Sequence, residues 1–403
     1  MISGHGPIDA KIILVSDYAT KEDIINERAI SGQKESTLNR IFKSHNVSID
    51  ITYRTSLIKG ELSYYGKIKR RFNEAIKEAE GAITPRTFGD ILGSEIIDIN
   101  PSIVVPLGDL SLKYLTGISG ITKYRGSILS LTGELQAKVK SLVIPTLDPQ
   151  YIWDNFANRI LVNLDIQRII EYSRNEHLVI RKPNIWICKT ISEFNEFIKR
   201  QKEIKFLVFD IETYFGIPTA ISFCFDGLES VSVPLFSTQT DNGNGCLLYQ
   251  AIARLLQNSP VVNQNIKYDV IILDRFGVVV NNIVGDTMIA ASLIYPELPK
   301  KLHFQTSIYT DMSYYKDDGK DFDPKLHPFS KLLEYNAKDS LSAFQIHIKQ
   351  LEEIQELGLG ELYYKMVRLI PIYKEIDQIG ILVDEDRRNT LINTYRATQS
   401  IYL

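Results

Sequence analysis

The sequence predicts an α/β protein made of two successive three-layer domains followed by a helical tail. Three observations predict it. Short apolar runs that end in polar turns recur with amphipathic stretches between them, the pattern of buried strands alternating with helices. One charged, proline-punctuated stretch, RNEHLVIRKPN, interrupts that alternation and reads as a linker. The residues that follow the second α/β unit hold a helical stretch and then GILVDEDRRNTL, up to Leu403.

In the first domain, residues 1–175, KIILVSD (Lys11 to Asp17) and PSIVVPLGD (Pro101 to Asp109) read as interior parallel strands, and SLVIPTLDP (Ser141 to Pro149) as a third. TLNRIFKSH and the stretch from Tyr65 to Glu80 have helical spacing, and Asp154 to Tyr172 reads as one amphipathic helix that closes the domain. Residues 176–185 form the expected linker. In the second domain, 186–355, FLVFDIE, AISFCFDG and SVSVPLF are strands and PVVNQN returns as a short one. Cys246 to Leu256 is expected to be helical, YDVIILDRFG is a helix ended by Gly277, and DTMIAASLIYP is a helix from an Asp286 N-cap to Pro296. Asp311 to Pro328, charged and broken by Gly and Pro, reads as a mobile surface loop, and Ser330 to Gln355 as helix. Residues 356–403 complete the chain.

Bulk properties exclude several classes. A length of 403 residues accommodates two or three cores, and 44% hydrophobic with 24% charged residues is ordinary for a soluble globular protein. No apolar run is long enough to span a bilayer, and the N-terminus lacks a secretory signal pattern. Cys188, Cys224 and Cys246 have no CxxC spacing, which argues against zinc, iron–sulfur and disulfide frameworks and for a cytoplasmic, non-secreted protein. A net charge of -3 carries no global nucleic-acid signature, so any such binding must rest on local patches and metals.

The chemistry is concentrated in three clusters: Asp210 and Glu212 in FLVFDIET, Asp269 in NQNIKYD, and Tyr335 with Asp339 in EYNAKDS. Two acids two apart on a strand share a face, and residues four apart on a helix do too. Four carboxylates converging on one cleft repel each other unless cations lie between them, and hard divalent ions such as Mg²⁺ or Mn²⁺ take oxygen ligands. Two such ions about 4 Å apart are a device for phosphodiester cleavage. Each cluster alone is more often structural, an N-cap or a solvated pair; it is their order within one α/β unit that makes the signal. Asp286 is explained by helix capping, Asp274 by surface exposure, and Asp317, Asp318, Asp321 and Asp323 by loop solvation. Phe209 and Leu273 read as core, whereas Tyr214 is placed to stack on a terminal base.

On these residues the second domain resembles the proofreading 3′–5′ exonuclease domain of family A DNA polymerases, of the DEDDy type in the RNase H-like fold. DIET supplies its first motif, Asn265 to Asp269 its second and Tyr335 to Asp339 its third; Glu334 stands where the histidine subclass would place its histidine. The resemblance implies that Asp210 bridges two Mg²⁺ (or Mn²⁺) ions, that Glu212, Asp269 and Asp339 complete their shells, and that Tyr335 orients the attacking water. Thr213, Asn265 and Lys267 are the implied substrate contacts. The partner would be the single-stranded 3′ end of DNA. The tail YYKMVRLIPIYKEIDQIGILVDEDRRNTL is similar to the segment leading into the polymerase thumb, and no palm motif follows. The expectation is therefore the N-terminal part of a longer, phage-like polymerase, whose palm and fingers would be partners and which would not polymerise by itself. RNA 3′-end trimming of the RNase D type and a non-catalytic DNA-binding or replisome-assembly module are the competing readings.

The first domain resembles family 4 uracil-DNA glycosylases, without their chemistry. The glycine-rich turn reads Ser16-Asp17-Tyr18-Ala19-Thr20, the catalytic triplet reads Asp148-Pro149-Gln150, and no cysteine precedes Cys188. A non-catalytic domain is implied, one that binds DNA or docks another replication protein. Lys67, Lys69, Arg70 and Arg71, interleaved with aromatics in YYGKIKRRF, are its candidate DNA contacts, with Lys123 and Arg125 a second pair.

Overall fold

The computed structural model describes residues 2–60, 85–175, 183–201, 204–235, 244–320, 322 and 326–402. The Tyr65 to Glu80 stretch, with the candidate contacts Lys67, Lys69, Arg70 and Arg71, and Asp321 and Asp323 lie outside the described residues.

Two sheets organise the chain. The first contains β1 (Ile12–Tyr18), β2 (Thr52–Ile58), β3 (Ile103–Pro106), β4 (Leu129–Ser130) and β5 (Leu142–Val143), in the order β2-β1-β3-β5-β4. All neighbours are parallel except β4 with β5. Ile12, Ile13, Leu14 and Val15 are fully buried, as an unbroken apolar run must be when helices cover both faces. Helices Gly32–Ser44, Asp109–Thr116 and Asn158–Arg174 supply Leu38, Leu112, Val162 and Ile166 to that core.

The second sheet contains β6 (Asn184–Ile187), β7 (Leu207–Tyr214), β8 (Ile217–Cys224), β9 (Glu229–Pro234), β10 (Pro260–Asn263) and β11 (Asn282–Asp286), in the order β11-β10-β7-β8-β9-β6. β8 runs antiparallel to both β7 and β9, and the outer strands pair in parallel. Leu207, Phe209 and Ile211 of β7 join a core with helices Ile191–Arg200, Asn244–Asn258 and Ile266–Arg275. Val208 joins a separate cluster on the opposite face with Leu341, Ala343, Phe344 and Ile346 of the long helix Phe329–Glu356. Strand alternation therefore places Asp210 and Glu212 on the face of Val208, toward the long helix.

That helix lies close to the sheet because small and polar residues line the contact. Asn336, Ala337, Ser340 and Ser342 are buried. Ser222 Oγ donates to the Asn336 carbonyl at 2.8 Å, Ser230 Oγ to the Ala337 carbonyl at 2.8 Å, and Ser232 Oγ to Asn336 Oδ1 at 2.9 Å. Beyond it, helices Gly360–Val367 and Ile370–Ile379 bury Tyr363, Val367 and Ile370 in the second core. Lys267–Asp377 and Lys374–Asp274 pairs tie the second of these to Ile266–Arg275.

The two units share an interface. Leu298, Tyr295, Phe304 and Ile308 of the second pack on the core of the first. Arg125 binds Asp165 through Nε at 2.9 Å and through Nη2, and its Nη1 donates to Ser307 Oγ at 2.9 Å. Arg168 donates to the carbonyls of Gly126 and Ile308, each at 2.6 Å. Ser313 Oγ donates to the Ile128 carbonyl at 2.8 Å, Tyr172 bonds Asp311, and Lys123 pairs with Asp317 at 3.2 Å.

Three elements differ from the sequence reading. The helix expected over Asp154 to Tyr172 is two helices, Gln150–Asp154 and Asn158–Arg174. Asn155 adopts extended backbone between them, and its side-chain oxygen accepts from Ala157 N at 3.1 Å, an Asx turn that competes with helix. Asn184 and Ile185, read as linker, open β6. The segment after Asp311, read as a mobile loop, is packed between the two units: Tyr315 is buried, and Asp317–Lys320 is a short helix. Arg125, read as a DNA contact, is buried in the interface instead.

The close seat of the long helix gives a first test. Ala337→Leu forces about three extra carbons into a site without free volume, which costs about 1–3 kcal/mol. The urea midpoint of the chain is expected to fall accordingly; an unchanged midpoint would contradict the packing described here.

Candidate active site

Asp210 and Glu212 leave β7 on the helix-facing side, and the long helix returns Asp339 to them. One carboxylate oxygen from each of the three lies within 4.8 Å of the others. Asn336 pins the arrangement: its Nδ2 donates both to the backbone carbonyl of Asp210 at 3.1 Å and to Oδ2 of the same residue at 2.9 Å.

Asp269 arrives from the other direction. β10 ends at Asn263, the chain turns through Asn265 in the left-handed conformation (φ 57°), and Asp269 sits in the first turn of the helix that follows. This turn is held by Asp286, whose carboxylate accepts from Ile266 N at 2.9 Å and Asn265 N at 3.3 Å while capping its own helix through Met288 N and Ile289 N. The capping role expected for Asp286 is what the structure shows. Asn263 Nδ2 donates to Asp269 Oδ2 at 3.0 Å, and the buried Asn263 Oδ1 has no partner among the described residues.

Burial and mutual repulsion dominate the electrostatics. Burial, and then the charge of Asp339, pushes Asp210 up to about 8, against the opposing pull of Lys316, Asn336 and Asn263. Glu212 is raised well above the ordinary carboxylate range by burial and then by Asp210 and Asp339. Asp269 is raised likewise, by burial and then by Asp210. Such a set stays ionised at neutral pH only with cations among its oxygens, and an all-oxygen donor set suits Mg²⁺ or Mn²⁺. The crowded carboxylates and the orphaned Asn263 oxygen fit such an ion.

Tyr335 is half-buried one helical turn from Asp339, and its hydroxyl is pushed upward by burial and by the Asp339 charge. Lys316 Nζ donates to Tyr335 Oη at 2.6 Å and also to Asp339 Oδ2, while Tyr315 Oη donates to Asp339 Oδ1 at 2.6 Å. Thr213 Oγ1 lies 3.3 Å from Tyr268 Oη at the rim, and Asn265 forms the turn. Lys267 turns away to Asp377 at 2.5 Å. Tyr214 and Phe215 are 50% and 89% exposed beside the end of β7, with ring centroids 4.6 Å apart, whereas Phe209 and Leu273 are core. Sequence reasoning missed Asn263, Asn336, Tyr315 and Lys316. Asn336 had a signal, a polar residue directly after Tyr335 on a face that must be buried; Lys316, within a charged stretch, had none.

Fold and acid cluster define the second unit as a mixed α/β domain with a carboxylate site between sheet and long helix. Residues 185–355 match the DNA polymerase A family model described as 3′-5′ exonuclease. The chain is 30% identical over 137 residues to the DNA polymerase of Bacillus phage SP01, a match covering 33% of this chain and 13% of the phage protein's length. The Brucella melitensis nuclease NrnC with bound Mg²⁺ is 16% identical, over 50% of this chain and 95% of that one, with a TM-score of 0.37. The POL domain of Pol1 from M. smegmatis, in complex with DNA primer-template and dNTP, is 13% identical over 53% of this chain and 35% of that one, with a TM-score of 0.43.

The raised carboxylates give a pH test in the absence of metal. Between about pH 4, where an unfolded aspartate titrates, and about pH 8, where Asp210 does, the folded state holds the extra proton, so stability falls as pH rises. In EDTA the melting temperature is expected to drop from pH 5 to pH 8, and Asp210→Asn to flatten that slope. A wild-type slope identical to the variant's would refute the assignment.

Proposed function

We propose that this chain removes nucleotides from DNA 3′ ends by metal-assisted phosphodiester hydrolysis, as the proofreading part of a family A polymerase. The observation that carries the reading is the convergence of Asp210, Glu212 and Asp339 oxygens within 4.8 Å of one another, in a segment that matches that family's exonuclease model. Asp269, buried beside them, supplies the fourth carboxylate.

Asp210, Glu212, Asp269 and Asp339 are the residues that would hold Mg²⁺ or Mn²⁺. Bound ions supply charge for the developing oxyanion and lower the pKa of water. The chain's own residues do the rest. Asn336 and Asn263 hold Asp210 and Asp269 in place, so the site is organised before substrate arrives. Tyr335 offers its hydroxyl to the attacking water at the end of the cleft. Tyr214 and Phe215 offer exposed rings on which the terminal bases of a single strand can stack, which favours low sequence specificity. Thr213 and Asn265 line the approach.

We assign residues 1–175 to a non-catalytic domain, 186–355 to the exonuclease and 356–403 to the lead into the thumb. Ile376, Ile379, Ile381 and Leu382 are 54%, 77%, 89% and 100% exposed, an apolar row suited to contact with the palm and fingers of a longer polymerase.

A 3′-overhanging strand with a 5′ label is the direct assay. With Mg²⁺ or Mn²⁺ the wild-type chain is expected to shorten it one nucleotide at a time, faster than the matching RNA, and EDTA to stop it. Asp210→Ala should cost at least about 10³-fold in rate, since it removes a ligand of the charge-stabilising centre. Equal inertness of wild type and variant, or equal activity, would sink the reading.

A further inference from the structure

Lys316 is the only described ammonium within hydrogen-bond reach of both Tyr335 and Asp339. Its Nζ also lies 4.6 Å from the centroid of the Tyr335 ring. The backbone around it is pressed against the same ring: a Cβ on Gly319 would come within 2.5 Å of Tyr335. Tyr315, one residue earlier, holds the other oxygen of Asp339 and bonds Ser342 Oγ at 3.0 Å. The Tyr335 oxygen accepts from Lys316, and the phenol's own proton is shared with Asp339, so lysine, phenol and carboxylate form one connected set at the edge of the cleft.

What holds Lys316 there is largely the other half of the molecule. The residues before it are fastened to the first unit at Ser307, Ile308, Asp311 and Ser313, and Tyr124 packs edge-on to Tyr314 with centroids 5.3 Å apart. Asp317, the next residue along, pairs with Lys123. The lysine is thus bracketed on both sides by contacts to the first unit.

We propose that Lys316 is a positioning residue of the exonuclease site, setting the Tyr335 hydroxyl and the Asp339 carboxylate, and that the N-terminal unit acts as the brace that delivers it. The inference rests on the exonuclease reading above. It gives the first unit a role in the nuclease reaction that needs neither base excision nor DNA contact. Lys316 also neutralises Asp339, so it opposes metal affinity while it orders the site.

The test uses the full chain, with Lys316→Met, Lys316→Arg and the interface variant Tyr172→Phe/Ser313→Ala, alone and combined with Lys316→Met. Initial rates on the labelled strand, Mn²⁺ titration by calorimetry and melting temperature are read on each. Lys316→Met is expected to lower kcat about 100-fold with KM little changed, the scale of a misplaced reacting group. Lys316→Arg should recover part of that loss. Mn²⁺ should bind Lys316→Met more tightly than wild type, a sign that general destabilisation would not produce. The interface variant should lower kcat about threefold to tenfold in the wild-type background and have no further effect in the Lys316→Met background. The proposal is overturned if wild type degrades the strand and Lys316→Met matches its rate, if Mn²⁺ binding weakens in Lys316→Met, or if the interface variant costs the same in both backgrounds. A wild-type chain that degrades nothing removes the nuclease reading, and this inference with it.

Discussion

Everything in the second unit depends on how closely the long helix can lie on the sheet. A helix packed through leucines would stand farther off, and Asp339 would not reach the oxygens of Asp210 and Glu212. Here, one turn before Leu341 and Phe344 take up the apolar packing, the contact is made by Asn336 and Ala337, with serines of β8 and β9 reaching up to the helix's carbonyls. Asn336 then locks register by gripping both the backbone and the side chain of Asp210. One amide group couples helix, strand and acid, so its position carries the geometry of the site.

The acids themselves oppose folding, and the contrast between two aspartates, Asp286 and Asp210, shows why they read as functional. Asp286 is buried and burial pushes its carboxyl up, but four backbone N–H groups at two helix starts point at it and oppose that shift, so it behaves as a structural element. Asp210, partly enclosed, has no backbone N–H among the groups that oppose its shift, only Lys316 and two amide side chains, and it has other carboxylates as neighbours. A set so poorly compensated persists because something from outside is meant to complete it.

The clusters were legible in the sequence because each follows a local rule. Spacing of two on a strand and four on a helix fixes shared faces whatever the fold, and an asparagine turn before a helix fixes Asp269. Apolar runs gave β1, β3, β7 and β8 for the same reason. β2 was not legible: Thr52, Arg54, Thr55 and Ser56 are buried yet polar, and their partners, such as Glu35 and Glu95, come from distant helices. The segment around Lys316 failed similarly. Local composition says that a run of Lys and Asp is solvated, but its partners lie in the long helix and in the other unit, and no window of sequence contains them.

The same logic bears on the first unit. In the turn and in the triplet where the glycosylase resemblance places its glycine-rich loop and its catalytic residues, the acidic side chains are engaged in structural bonds. Asp17 accepts from Leu110 N, Ser111 N and Ser111 Oγ at the start of helix Asp109–Thr116, and Asp148 is paired with Lys34 at 2.6 Å. An acid that caps a helix or closes an ion pair is not free to activate water. The costly buried polar groups of this unit, Arg125 with Asp165 and Arg168, are found instead where it meets the exonuclease domain. Burying an arginine is unfavourable unless every donor is satisfied, and Ser307 and the Ile308 carbonyl of the second unit provide that satisfaction. The first unit therefore has its most exacting chemistry at the boundary with its neighbour.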